Sequence, residues 1–393
     1  MFRENREIAN YLDKMETIQS KIIKLIDACD KDSQEIKYQK LLILLEKLQI
    51  QENKYEFSSF LHLLTIIYNN HHHQLDFIDM IEKIIKYYDF DIKKFYNNSE
   101  IFTIFKENKR ILLFLIESKL MIIDDYVLMK MKNEKYCYYF YPEIKMFLDN
   151  ESIEQISTKL NDDVLDNFEY KRKIGENESY ICHLIRNDSI DNFIEYVNRC
   201  NISFSKKIDF SIFETNRFLL KKKNVNLIEY ATFFGSIRIF KYMWLNNASL
   251  EPSLWMYAIH GNNPEIFHIL EQYNISPKDI TFIKCYDESI KCHHNDIADY
   301  LQSNFLFHNL KENSESLSDM VNSLRKKAYD PMHCYLKYYN FKYIKTPHII
   351  THLSHKMTFH YDLCRYDYSE IVKVLLKTNS KIFNVKLLKT SKI

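Results

Sequence analysis

The residues best suited to hold a metal are Cys285, Cys292, His293 and His294. Thiolate and imidazole together suit zinc, but structural zinc sites carry their ligands in closely spaced pairs at both ends. Here six residues separate the cysteines, and adjacent histidines on a helix point to different sides. These positions therefore read as turn and core residues. His71-His72-His73 stands in a polar break beside Asn69-Asn70 and reads as a loop tract. Cys182-His183 and His333-Cys334 set a thiol beside a base. Neighbours on a helix diverge by about 100°, so neither pair forms a nucleophile–base couple by itself. Carboxylates are spread along polar faces, with no pair standing out. The expectation is a chain with no catalytic residues, no metal and no cofactor.

Composition limits the elements that could position such groups. The chain has 393 residues, 46% of them hydrophobic and 27% charged, with 54 basic and 53 acidic side chains. That apolar fraction is too high for disorder, and the near-zero net charge argues against a nucleic-acid coat. Only Gly175, Gly235 and Gly261 are glycine. Phosphate-cradling loops, dinucleotide fingerprints and nucleophile elbows each need several such positions and are excluded together. Ile, Lys, Asn, Tyr and Phe are abundant, the bias of an AT-rich genome, so Lys- and Asn-rich runs carry little weight. The start has mixed charge with no following apolar run, and no stretch approaches the roughly 20 apolar residues of a membrane helix. Eight scattered cysteines without a Cys-x-x-Cys pair suit reduced thiols. An intracellular, cytoplasmic protein without transmembrane segments is expected.

Periodicity predicts helices almost throughout. Ile8, Leu12, Met15, Ile18, Ile22, Leu25 and Ile26 recur at three- and four-residue steps, the signature of one buried face. Further stripes run Leu41, Leu44, Leu45 and Leu48; Phe57, Phe60, Leu61, Leu64 and Ile67; and Phe77, Met80, Ile81, Ile84 and Ile85. The one β-like stretch, Tyr136 to Tyr141, reads equally as a buried connector. Residues 1–130 are expected to form an N-terminal helical repeat-like region, 131–179 a connector, 180–310 repeats, and 311–393 degenerate repeats with a basic tail. That tail holds Lys381, Lys386, Lys389 and Lys392.

Self-similarity supports the repeats. Ala231-Thr-Phe-Phe-Gly235 before Ile237-Arg-Ile-Phe matches Ala258-Ile-His-Gly-Asn262 before Glu265-Ile-Phe. Weaker copies begin at Leu184, Ser289 and Leu363. The inferred turn residues are 188, 235, 262, 293 and 367, and a further degenerate unit is expected in the last gap, around Asp330-Pro331. These blocks resemble ankyrin repeats, in particular the divergent kind found in large protist families beside an uncharacterised helical domain. Glu370-Ile-Val-Lys-Val-Leu-Leu376 matches the second helix of that unit. Asn226 to Tyr230 and Ser253 to Tyr257 stand where Thr-Pro-Leu-His would open the first helix, and the short repeat steps leave no room for full β-fingers.

The resemblance implies an all-α solenoid of stacked antiparallel helix pairs, with shortened or missing β-fingers. It also implies that the residues just before each turn line a concave recognition row. These are Arg186 and Asn187, Phe233 and Phe234, His260 and Gly261, Lys291 and Cys292, and Arg365 and Tyr366. Trp244, Trp255 and Tyr257 are expected to pack between repeats. The expected function is a non-catalytic scaffold that binds a protein or peptide. A metal-dependent hydrolase drawing residues from several helices, or an RNA-binding solenoid using Lys206-Lys207 and Lys221-Lys222-Lys223, are the alternatives. If the row faces solvent, Arg186, His260 and Lys291 can be substituted together without loss of fold.

Overall fold

A computed structural model describes residues 2–27, 30–71, 75–160, 162–222, 224–275, 282–306, 331–346 and 357–378. Cys29, His72, His73, Lys223, Asp330 and the basic tail beyond 378 lie outside these residues. The described chain is all-helical, with no strand among the described residues. Its one isolated β-bridge joins Lys207 to Asn226. No described helix is long and apolar enough to cross a membrane.

The periodic stripes become the buried faces. Helix Phe2–Ile26 buries every position from Ile8 to Ile26 in its stripe, and helix Lys54–Asn70 does the same from Phe57 to Ile67. Helix Lys31–Leu48 starts where the Asp30 carboxylate accepts the Ser33 amide at 2.7 Å, satisfying one of the donors that a helix N-terminus leaves open. The stretch from Tyr136 to Tyr141 is no strand. It joins helix Glu134–Cys137 to helix Tyr141–Ile144 and buries Tyr139 and Phe140.

Every turn residue inferred from the repeats adopts the left-handed backbone: Asp188 (φ +46°), Gly235 (+65°), Asn262 (+45°), His293 (+56°) and Asp367 (+56°). Tyr339 (+52°) supplies the missing turn in the long gap. It sits between helices Pro331–Lys337 and Phe341–Ile344, a few residues beyond the expected Asp330-Pro331. After most of these turns the next amide reaches back to close a six-residue ring: Ser189 to Leu184, Ser236 to Ala231, His294 to Ser289, Asn340 to Tyr335 and Tyr368 to Leu363, at 2.8–3.1 Å. This geometry satisfies carbonyls that a helix end leaves unpaired.

Successive turns are also bonded to each other. Ser236 Oγ donates to Ile185 O at 2.6 Å, Asn263 Nδ2 to Gly235 O at 3.0 Å, and Asn340 Nδ2 to Ile290 O at 3.0 Å. The Asp188 carboxylate accepts the Arg238 and Ile239 amides at 3.0 and 2.9 Å. Helices Leu227–Phe233 and Leu254–Gly261 meet so closely that a Cβ on Gly261 would lie 2.1 Å from Thr232 O. In place of an ankyrin-type opening, Asn226 and Glu229 form a reciprocal cap, and Glu229 then accepts the Ser253 hydroxyl at 2.9 Å.

Contacts divide the chain into two compact units, residues 1–71 with 274–393, and residues 72–273. The sequence reading divides the chain at 130, 179 and 310. In the first unit, helix Phe2–Ile26 packs on helices Phe341–Ile344 and Ser369–Thr378. The buried Gln19 amide pairs with both sides of the backbone there, donating to Tyr339 O at 2.7 Å and accepting from the Phe341 amide at 3.0 Å. A stack in which each helix pair meets only its neighbours in sequence therefore does not describe this unit.

Replacing Gly261 by Ala forces a methyl into the Thr232 carbonyl and should cost about 3 kcal/mol, the upper range for overfilling a packed site. Asn262→Gly relieves a left-handed non-glycine residue and should not destabilise. Urea denaturation of both variants checks the contrast.

Candidate functional site

The second unit holds a cleft of about 580 Å³. Its frame begins at Gly175, whose left-handed backbone (φ +71°) ends helix Phe168–Ile174. The Gly175 carbonyl accepts both the amide and the hydroxyl of Thr215, at 3.0 and 2.7 Å. Residues 176–179 then lead into helix Tyr180–Arg186. Residues 201–222, which include the short helix Arg217–Lys221, follow on, and the Ile208 amide donates to Val225 O at 2.8 Å.

Arg186 sits at the centre of this frame. Its Nε pairs with Glu176 at 2.6 Å, and its Nη1 donates to Asn177 O at 2.8 Å and to the Tyr230 hydroxyl at 2.9 Å. The pair is largely buried, with side chains 10% and 16% exposed. Burial pushes the Glu176 carboxyl above its usual range, and the Arg186 charge opposes that push. Behind it, Glu214 is buried and accepts the Asn216 amide at 2.7 Å. Burial pushes Glu214 up to about 7 and the Cys182 thiol up to about 11. Lys109, also in this charge field, is pushed down by burial to about 8 while Glu214 pulls the other way.

Of the recognition row, Arg186, Asn187 and Phe234 do line this cleft, together with Tyr170, Tyr180 and His183. Tyr170 and Tyr180 are exposed, and Asn187 donates to the His183 ring at 3.1 Å. The rest of the row does not join them. Phe233 and His260 are buried and stacked at 4.9 Å, with Phe218 against His260 at 4.3 Å. An imidazole so enclosed packs as an aromatic ring. Gly261 is the close-packing glycine described above, and Cys292 is fully buried. Lys291 pairs with Glu288. Arg365 is exposed beside the half-buried Tyr366, with its guanidinium 5.6 Å from that ring's centre.

The joint removal of Arg186, His260 and Lys291 is therefore not neutral for the fold: the first anchors a buried ion pair and the second fills an aromatic core. The ankyrin-based row counts positions from the turn, whereas here Phe218, Phe233 and His260 pack on one another. Trp255 and Tyr257 do pack inside, and the half-buried Trp244 meets Tyr273 edge-on at 4.9 Å.

The other sequence candidates are placed separately. Cys285 and Cys292 are buried thiols, and burial pushes Cys285 up to about 12. His293 is the left-handed turn residue; its Nε2 donates to Tyr338 O at 2.9 Å, and burial pushes it down to about 4. His294 meets the His71 ring edge-on at 5.0 Å. His333 bonds Asp362 at 3.1 Å and Tyr366 at 3.1 Å rather than Cys334. Glu176, Asn177, Glu214 and Tyr230 were not singled out by sequence. Gly175-Glu-Asn-Glu178 lies at the end of the expected connector, and Glu214 lies in a segment without a motif. Compared with known proteins, the chain matches no family profile, no curated protein and no solved structure.

Two outcomes follow from this charge network. Arg186→Met strands Glu176 in a buried site and should cost about 3–5 kcal/mol, the range for removing one partner of a buried pair. Glu214 holds its proton more tightly in the folded chain than in the unfolded one, so its contribution to stability falls as pH rises from its ordinary 4.5 to about 7. Glu214→Gln should melt above the unsubstituted chain at about pH 8 and lose that advantage near pH 4. Thermal unfolding across pH reads both.

Proposed function

We propose that this chain is a helical-repeat protein of ankyrin-like build that binds an extended segment of another protein, with the cleft of the second unit as its contact site. The reading rests on one observation: the cleft presents the exposed rings of Tyr170 and Tyr180 beside Asn187, around an arginine held by Glu176, Asn177 and Tyr230. Flat amphipathic rings with adaptable amides are the side chains that protein recognition favours, because they offer area at little entropic cost. A volume of about 580 Å³ accommodates a few side chains of a bound segment. The repeated left-handed turns support the repeat reading, since each lies where the matched blocks place it.

A non-catalytic role suits the chemistry at this cleft. The nearest thiol, Cys182, is held protonated by burial, whereas a nucleophilic cysteine needs its thiolate. The seven cysteines among the described residues are all free thiols, which suits a reducing compartment.

Selection of a random peptide display library on the full chain tests this reading. Enriched peptides should lose binding about tenfold or more to a Tyr180→Ala, Asn187→Ala double variant, the cost of losing a recognition hot spot. Helical melting should stay unchanged, because both side chains are exposed. Peptides that bind the double variant equally well would place recognition elsewhere.

A further inference from the structure

A second cavity, of about 350 Å³, lies on the other side of the segment that frames the cleft. We propose that this cavity binds a small amine, a molecule with one protonated nitrogen and an apolar body. Its walls carry Ile208, Leu219, Leu220 and Val225, and its polar groups converge from Asn177, Glu214 and Tyr230. A mostly apolar chamber with a few fixed polar groups is the usual form of a small-molecule site.

The charge of the ligand follows from Glu214. This carboxyl is the buried acid of the chamber, and among the described residues no lysine, arginine or histidine nitrogen comes within 4.0 Å of it. It accepts the Asn216 backbone amide at 2.7 Å. Ionised, a carboxylate has about four acceptor positions, which leaves room for a ligand N–H.

The other polar groups are already committed. The Asn177 side chain donates to Asp209 O at 2.9 Å and accepts the Ser179 amide at 3.0 Å, and the Tyr230 hydroxyl accepts from Arg186 at 2.9 Å. Charges that face Glu214 from neighbouring elements are Glu176, Arg186 and Lys109. Arg186 is matched by Glu176, and the Lys109 ammonium turns to Ile212 O at 3.5 Å. At the mouth, exposed Lys222 lies over the Phe218 and Tyr257 rings at 5.3 and 6.0 Å, and exposed Asp209 pairs with Lys206 at 3.9 Å.

Binding has a proton signature. Burial keeps Glu214 part-protonated near neutral pH. An arriving ammonium stabilises the carboxylate, so the acid must release that fraction of a proton as the ligand enters.

Calorimetric titration of the full chain with 2-phenylethylamine and with 2-phenylethanol, its neutral counterpart of similar shape, tests the proposal. The amine should bind about tenfold tighter or more, the scale of a hydrogen bond between charged partners. Titration in two buffers of different ionisation heat should show about half a proton released near pH 7. In Glu214→Gln the preference should shrink to about twofold or less while both probes still bind, and Leu219→Trp, which fills the chamber, should remove both. If Glu214→Gln does not fold, the proton release of the unsubstituted chain decides. No amine binding, equal binding of the two probes, or amine binding without proton release would each overturn the proposal.

Discussion

The structure depends on one local conformation, a single left-handed residue between the paired helices on either side of it. It turns the chain sharply enough for the second helix to fold back, and it lets the following amide satisfy carbonyls at the helix end. The cost of placing Asp188, Asn262, His293, Tyr339 and Asp367 in that region is met by bonds that only the turn can make. Asp188 offers its carboxylate to the next repeat's amides, and His293 reaches the Tyr338 carbonyl. The Tyr339 hydroxyl donates to Tyr366 O. Within each unit, neighbouring turns are thus tied to one another.

That regularity is interrupted within the second unit. Between helices Ile190–Arg199 and Leu227–Phe233 the chain inserts a loop, which carries Ser211, Glu214 and Thr215 against residues 175–178. A buried acid and a buried arginine are costly unless hydrogen-bonded and paired. Here they brace a stretch with little regular backbone structure of its own, which lines both the cleft and the smaller cavity.

Much of this fold is legible in the sequence because apolar spacing and left-handed turns leave local marks. The stripe from Ile8 to Ile26 is buried as read, and five turn residues were placed by aligning short blocks alone. Tyr339 was missed because nothing in its residue type advertises a left-handed turn. The pairing of residues 1–71 with 331–378 was also out of reach: Gln19 meets Tyr339 more than three hundred positions later, and one glutamine among many carries no mark of its partner. The site was half legible. Arg186 and Asn187 were named for their place before a turn, while Phe233 and His260 occupy the same register yet are buried against Phe218. Register along a repeat does not reveal which neighbour fills the space beside it.

The Arg186 network should make residues 175–187 a rigid wall. Native-state hydrogen exchange measures this directly. Amides 183–186 of the intact chain should exchange only at the rate of global unfolding, and Arg186→Met should lower protection there and across 208–216 before elsewhere. Rapid exchange of those amides in the unsubstituted chain, or a loss of protection spread evenly over the unit in the variant, would contradict it.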